Sequence, residues 1–181
     1  MNDQWRHYAD ISQCSLCPLK GQDYALSRIH RGTGKKVMFI GEAPGEEEAK
    51  QHLAFVGRSG KLLDKWIEYL GIDNYVITNV VRHRPPNNRR PTNSEIKVCY
   101  SYLDTEIVKE NPHYIIALGR TAISTLGLIG DSQSITTALG KVYFTNEIKQ
   151  VFAFYHPSYI LRSGKDMIPY LDQLKQRLEV V

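Results

Sequence analysis

Long apolar runs are missing from this chain, and nothing in it approaches the roughly 20 residues that a membrane-spanning helix needs. The polar start MNDQWRHYAD also lacks the apolar centre of a secretory signal, so a cytoplasmic protein without membrane attachment is expected. Cysteine is scarce: the 3 in 181 residues cannot all pair with one another. The spacing of Cys14 and Cys17 is favoured by metal sites and redox motifs, which makes disulfide stapling the weaker reading. Charge of one sign is in small excess, a formal net +4, too little by itself to imply a nucleic-acid partner. A dinucleotide fingerprint and a P-loop lysine are absent from Gly41-Glu42-Ala43-Pro44-Gly45, which argues against a generic nucleotide binder.

What is present is a composition, 42% hydrophobic and 10% aromatic, sufficient for one well-buried core and short for two. A single domain over residues 1–181 is expected. Val37-Met38-Phe39-Ile40 looks like a buried strand delivering a tight loop at its carboxyl end. Leu62, Leu63, Trp66, Ile67 and Leu70 recur at helical spacing and stop at Gly71. A second strand follows from Tyr75 to Asn79. Thr92 and Glu95 have capping-box spacing ahead of a helix that ends before Pro112. Strands are also expected from Tyr114 to Leu118 and from Val151 to Tyr155, with a last helix packing through Leu171, Leu174 and Leu178. Residues 127–140 read as a loop with one edge hairpin after it. The alternation implies a three-layer α/β/α sandwich around a mostly parallel, four-stranded sheet.

Three strand ends deliver polar side chains: Glu42 after the first, Asn79 closing the second and His156 after the last. In a parallel sheet these can meet in one pocket. The ordered blocks Gly41-Glu42-Ala43-Pro44-Gly45-Glu46-Glu47-Glu48, Phe55-Val56-Gly57, Thr78-Asn79-Val80-Val81, Arg84-Pro85-Pro86, Ala117-Leu118-Gly119 and His156-Pro157-Ser158-Tyr159-Ile160-Leu161-Arg162 resemble the family 4, iron–sulfur-type uracil-DNA glycosylases over nearly the whole chain.

That resemblance implies a monofunctional base-excision repair hydrolase that flips a uracil out of DNA and releases it by water attack. Phe55 would stack on the flipped ring beside Ala43, and Asn79 would read the pyrimidine edge through an amide that both donates and accepts. His156 would donate to the uracil oxygen on which charge grows. Glu42 would hold the attacking water or stabilise the cationic sugar, two roles the sequence does not separate. Glu48 would crowd the methyl-bearing carbon of thymine. Ala49, His52 and Ala54 depart from the family pattern around this loop.

Cys14, Cys17 and Cys99 resemble three of the four cluster ligands, with His83 at the remaining cysteine position. A 4Fe-4S cluster with three-cysteine, one-histidine ligation is the implied cofactor, while the donor set also suits zinc, and loss of the metal is the bland alternative. Arg82, Arg84, Arg89 and Arg90, in a run without acidic residues, are read as a phosphate clamp. Ser158 and Arg162 are read as further DNA contacts, and one of Tyr159, Ile160 or Leu161 as the wedge filling the space of the flipped base. The expected partner is uracil-containing DNA and the expected state a monomer. The rival readings are a glycosylase for another deaminated or mismatched base, and a non-catalytic DNA-binding accessory module on the same fold.

Overall fold

The computed structural model describes residues 11–130, 132–144 and 150–178; the polar start considered above lies outside them. In chain order the elements are β1 (Arg28–His30), β2 (Val37–Gly41), α1 (Glu46–Gln51), α2 (Arg58–Leu70), β3 (Tyr75–Asn79), α3 (Asn93–Glu110), β4 (Tyr114–Leu118), α4 (Gly119–Thr125), β5 (Val142–Phe144), β6 (Gln150–Phe154), α5 (Pro157–Ser163) and α6 (Ile168–Arg177).

The strands form one sheet in the order β1-β3-β2-β4-β6-β5. The inner four run parallel, as expected, and antiparallel strands close both edges. The four-stranded sheet inferred from the sequence is therefore corrected to six. β5 pairs with β6 at the expected edge, whereas β1 was not foreseen, because Arg28-Ile29-His30 has no buried residue and no apolar run to mark it.

The inner strands are apolar on both faces because both faces are covered. Val37 and Phe39 pack with Leu63, Trp66 and Ile67 of α2 and with Leu171 and Leu174 of α6. Met38 and Ile40 point the other way, into a cluster with Leu103 of α3 and Ile123 of α4. α2 stops at Gly71, whose φ of +73° suits a residue without a Cβ. α3 opens on the expected capping box: Glu95 N donates to Thr92 Oγ1 at 3.2 Å, and Thr92 N to Glu95 Oε2 at 2.8 Å. No helix among the described residues is long and apolar enough to cross a membrane. Since the inner strands are parallel, their carboxyl ends share one edge, where Gly41 pairs in register with Asn79 and Leu118 with Phe154.

Candidate active site

A cavity of about 660 Å³ opens at that edge, and Glu42, Phe55, Asn79 and His156 all line it. The structure thus brings together the four residues singled out for chemistry. Ala43, Glu48, Ser158, Arg89 and Arg162 also line it. Each is placed by backbone geometry that the local sequence dictates.

Gly41 is the tightest point. A Cβ there would stand 2.5 Å from Phe55 Cζ and 2.6 Å from Asn79 Oδ1, so glycine lets the Phe55 ring and the Asn79 amide meet over the end of β2. Asn79 is 3% exposed, and its Oδ1 is buried with no hydrogen-bond partner. An orphaned acceptor of this kind costs stability. Phe55 adopts a φ of +56°, uncommon for a bulky residue. Its carbonyl lies where a Cβ on Gly60 would come within 1.8 Å, so Gly60 is a second position where only glycine fits.

The loop carrying Phe55 is held from two sides. Gly57 N donates to Glu48 Oε1 at 2.7 Å. Leu26 N donates to His52 O at 3.0 Å, and Ala54 N to Leu26 O at 2.8 Å. His52, in the left-handed region at the end of α1, stacks on Tyr24 with ring centroids 4.5 Å apart. The residues that depart from the family pattern are thus built into the packing: Ala49 and Ala54 are each 1% exposed.

His156 caps α5. Its Nδ1 accepts from Ser158 N at 3.1 Å, with Ser158 Oγ 2.8 Å away. A ring nitrogen that accepts a backbone N–H carries no proton, so in the neutral ring the hydrogen resides on Nε2. Burial, with a smaller contribution from Arg162, pushes the His156 pKa down to about 4, which keeps the ring neutral at pH 7. His156 is therefore an Nε2–H donor beside the Phe55 ring, whose centroid lies 5.7 Å away. The Ser158 hydroxyl, read from the sequence as a phosphate contact, lies on this imidazole. Gly119, at φ +82°, makes room for His156: a Cβ there would be 2.9 Å from His156 Cβ.

Glu42 follows β2. Its Oε2 accepts a hydrogen bond from Thr121 Oγ1 and lies 3.9 Å from Arg90 Nε, and Arg90 Nε donates to Thr121 Oγ1 at 3.0 Å. Sequence reasoning missed Thr121, although its signal was present. It sits three residues past the end of β4, the one inner strand whose carboxyl end had been given no polar role.

The arginine run divides. Arg82 is 5% exposed, with Nη2 2.6 Å from Glu106 Oε2, Nη1 2.9 Å from Ser27 Oγ and a further bond to Thr78 Oγ1. Every bond above is internal and the side chain is only 7% exposed, which weighs against the phosphate contact read from the sequence. Arg89 forms a bidentate pair with buried Glu95 at 2.6 and 2.9 Å while remaining partly exposed, and it holds the Glu95 carboxyl down to about 2. Arg84 reaches Asn88 Oδ1 at 2.7 Å near the cavity mouth. Arg162 is exposed on α5. Of the three wedge candidates, Ile160 is buried at 8%, whereas Tyr159 and Leu161 are each 43% exposed.

The thiols converge without closing. Cys14 packs against the apolar cluster that contains Cys99. Cys99 is pushed up to about 11 by burial, against an opposing effect of Arg82, and the charges of Cys17 and Cys14 are close enough to add to the rise. The segment after Cys17 is stitched to the loop after β3: Ala25 N donates to Arg82 O at 2.9 Å, and Arg84 N to Asp23 O at 2.8 Å. His83 is 4% exposed, pairs with Tyr24, and has its pKa lowered by burial. Among the described residues, however, no three His, Cys, Asp or Glu side chains are placed to hold a metal ion. The donor chemistry fits a metal, and the four side chains do not form a closed cage.

Comparison with known proteins gives a consistent result. A family model described as the uracil DNA glycosylase superfamily matches residues 31–179. A type-4 uracil-DNA glycosylase of Thermotoga maritima is 39% identical over 84% of this chain and 80% of its own length. One from Saccharolobus solfataricus is 44% identical over 82% of this chain and 73% of its own. One from Archaeoglobus fulgidus is 36% identical over 94% and 85%.

Proposed function

Because this chain belongs to the uracil DNA glycosylase superfamily, we propose that it hydrolyses the N-glycosidic bond of uracil in DNA as the first step of base-excision repair. The observation that carries the reading is the orphaned Asn79 Oδ1 beside the Phe55 ring. Uracil carries a donor at N3, and cytosine an acceptor. An amide oxygen held with no internal partner gains a hydrogen bond from the first base and meets repulsion from the second.

A uracil flipped out of the helix stacks on Phe55 with Ala43 at the wall, offers N3–H to Asn79 Oδ1, and places its O2 near His156 Nε2–H. As the bond to the sugar breaks, negative charge gathers on that oxygen, and a neutral donor already in place stabilises it without reorganisation. Glu42 acts on the sugar side, orienting water and balancing the positive charge of the departing sugar. Glu48 limits the space at the methyl position while its other task, accepting from Gly57 N, keeps the Phe55 loop in place. No lysine lines the cavity among the described residues, which supports simple hydrolysis rather than a covalent amine intermediate and strand cleavage.

Arg84, Arg89, Arg90 and Arg162 hold phosphates around the cavity mouth, and the exposed Tyr159 and Leu161 face the gap left by the base. Cys14, Cys17 and Cys99, with His83 as the fourth donor, would hold a 4Fe-4S cluster. When bound it supplies a cross-link between the N-terminal segment, the loop after β3 and α3. The protein acts as a monomeric unit on DNA.

The test is incubation with uracil-containing oligonucleotides, single- and double-stranded, with detection of free uracil; DNA carrying hypoxanthine or mismatched thymine forms the comparison. Uracil is the expected product. Asn79→Ala and His156→Ala should each lower the single-turnover rate by roughly 10²–10³-fold, as expected for loss of one preorganised contact to the departing base. Absence of uracil release by the unaltered protein, or full activity in both variants, would overturn the reading.

A further inference from the structure

We propose that Thr121 is a positioning residue for Glu42: its hydroxyl stands between the carboxylate and Arg90, pins one carboxylate oxygen and leaves the other for the reaction. The proposal rests on the glycosylase reading above and adds a residue that the convergence of strand ends had not included.

The direction of the hydrogen bonds follows from donor chemistry. Arg90 Nε carries a proton and can only donate, so at 3.0 Å from Thr121 Oγ1 it occupies a lone pair of that oxygen. The hydroxyl proton is then free to point at Glu42 Oε2, which as a carboxylate oxygen can only accept. The chain runs one way, from Arg90 through Thr121 to Glu42. Thr121 is 1% exposed and lies in α4, with Ala122 and Ile123 beside it in the core at 0% each. The hydroxyl is thus fixed by a buried backbone, whereas the Glu42 and Arg90 side chains are 36% and 52% exposed. A donor on a buried backbone between two partly exposed charged groups decides where the carboxylate points.

The alternative arrangement is already close. Arg90 Nε is 3.9 Å from Glu42 Oε2, the outer limit of an ion pair. With the hydroxyl gone, the guanidinium and the carboxylate are neighbours with nothing between them, and Coulomb attraction at that distance draws them into direct contact. Glu42 would then turn toward the rim of the cavity and away from the sugar. Arg90 is also one of the residues proposed to hold phosphate, so the same hydroxyl keeps it from direct contact with the Glu42 carboxylate. Displacements of about 1 Å in a reacting group can lower a rate by the order of 10²-fold.

Thr121→Val removes the hydroxyl and keeps the shape, and Thr121→Ser keeps the hydroxyl. The expected result is a 10- to 100-fold fall in the single-turnover rate for Thr121→Val, with KM for uracil-containing DNA and inhibition by free uracil within about twofold of the unaltered enzyme. The Thr121→Ser variant should recover most of the rate. A structural role alone would lower the thermal midpoint and weaken uracil inhibition along with the rate. A Thr121→Val enzyme with the unaltered rate, or one whose rate loss is matched by Thr121→Ser, would overturn the proposal. An unaltered protein that releases no uracil would overturn the glycosylase reading instead, and the two failures are read from different samples.

Discussion

At the scale of single residues, the chemistry depends on where protons sit, and His156 shows why. Its Nδ1 is occupied by Ser158 N–H, and burial lowers its pKa from an ordinary 6.5 to about 4, so the Nε2–H donor persists through mildly acidic pH. The same shift has a consequence for stability. Between pH 6.5 and 4 the unfolded chain takes up a proton on this imidazole and the folded one does not. Its contribution is full above 6.5 and declines as pH falls toward 4. Urea unfolding at pH 7.5 and pH 5.0 should show a loss that His156→Gln reduces by about 1–2 kcal/mol; equal losses in both proteins would contradict the assigned burial. Asn79 and His156 were legible in the sequence because each closes or follows an apolar strand. Arg82 was not, since its partner Glu106 lies 24 residues away and nothing in a run of arginines marks which one turns inward. Thr121 escaped because a threonine in the first turn of a helix is ordinary until its neighbours across the sheet edge are known.

Among the elements, the inner strands were readable because parallel strands covered on both faces are continuous apolar runs, and all four were located to within about one residue. β1 could not be read, because its burial comes only from pairing with β3 and its three residues are half-buried or exposed. The α1–α2 connection shows how an element boundary can serve the site. Glu48 in α1 accepts from Gly57 N at the cap of α2, which fixes the span holding Phe55 at its unusual φ. The N-terminal segment is anchored at a few points by Ile11, Leu19 and Ala25, which are 4%, 2% and 2% exposed. Backbone bonds near Tyr24 and the Tyr24–His83 ring contact tie it to the loop after β3, and Cys14 packs against the cluster that contains Cys99 of α3. A metal at this junction would add a cross-link to the few apolar anchors of the segment. Protein prepared without oxygen should therefore carry iron or zinc in stoichiometric amount. Cys99→Ser should lose it and lower the thermal midpoint by several degrees, as expected for losing one of few restraints. Preparations containing neither metal would remove the site.

Over the whole molecule, a net charge of +4 is too small to account for DNA binding, and the arrangement of charge has to do so. The cavity at the carboxyl edge of the sheet is lined by Glu42 and Glu46 to Glu48 together with Arg58, Arg89 and Arg162, so the carboxylates proposed to act on base and sugar share it with cations suited to phosphate. Arg82 lies below this edge in the protein interior, paired with a Glu106 that is fully buried. The two kinds of arginine should separate in one experiment. Arg84→Ala and Arg162→Ala should each weaken DNA binding uniformly across sequences and reduce the slope of log affinity against log salt by about one, with unchanged thermal midpoints, because each removes one phosphate contact from the surface. Arg82→Ala should leave an uncompensated carboxylate in the core and cost about 3–5 kcal/mol of stability, while its folded fraction binds DNA with the salt slope of the unaltered protein. If Arg82→Ala instead lowered the slope without changing stability, the guanidinium would have to reach DNA. The division of the arginine run into a buried structural member and an exposed binding set would then fail.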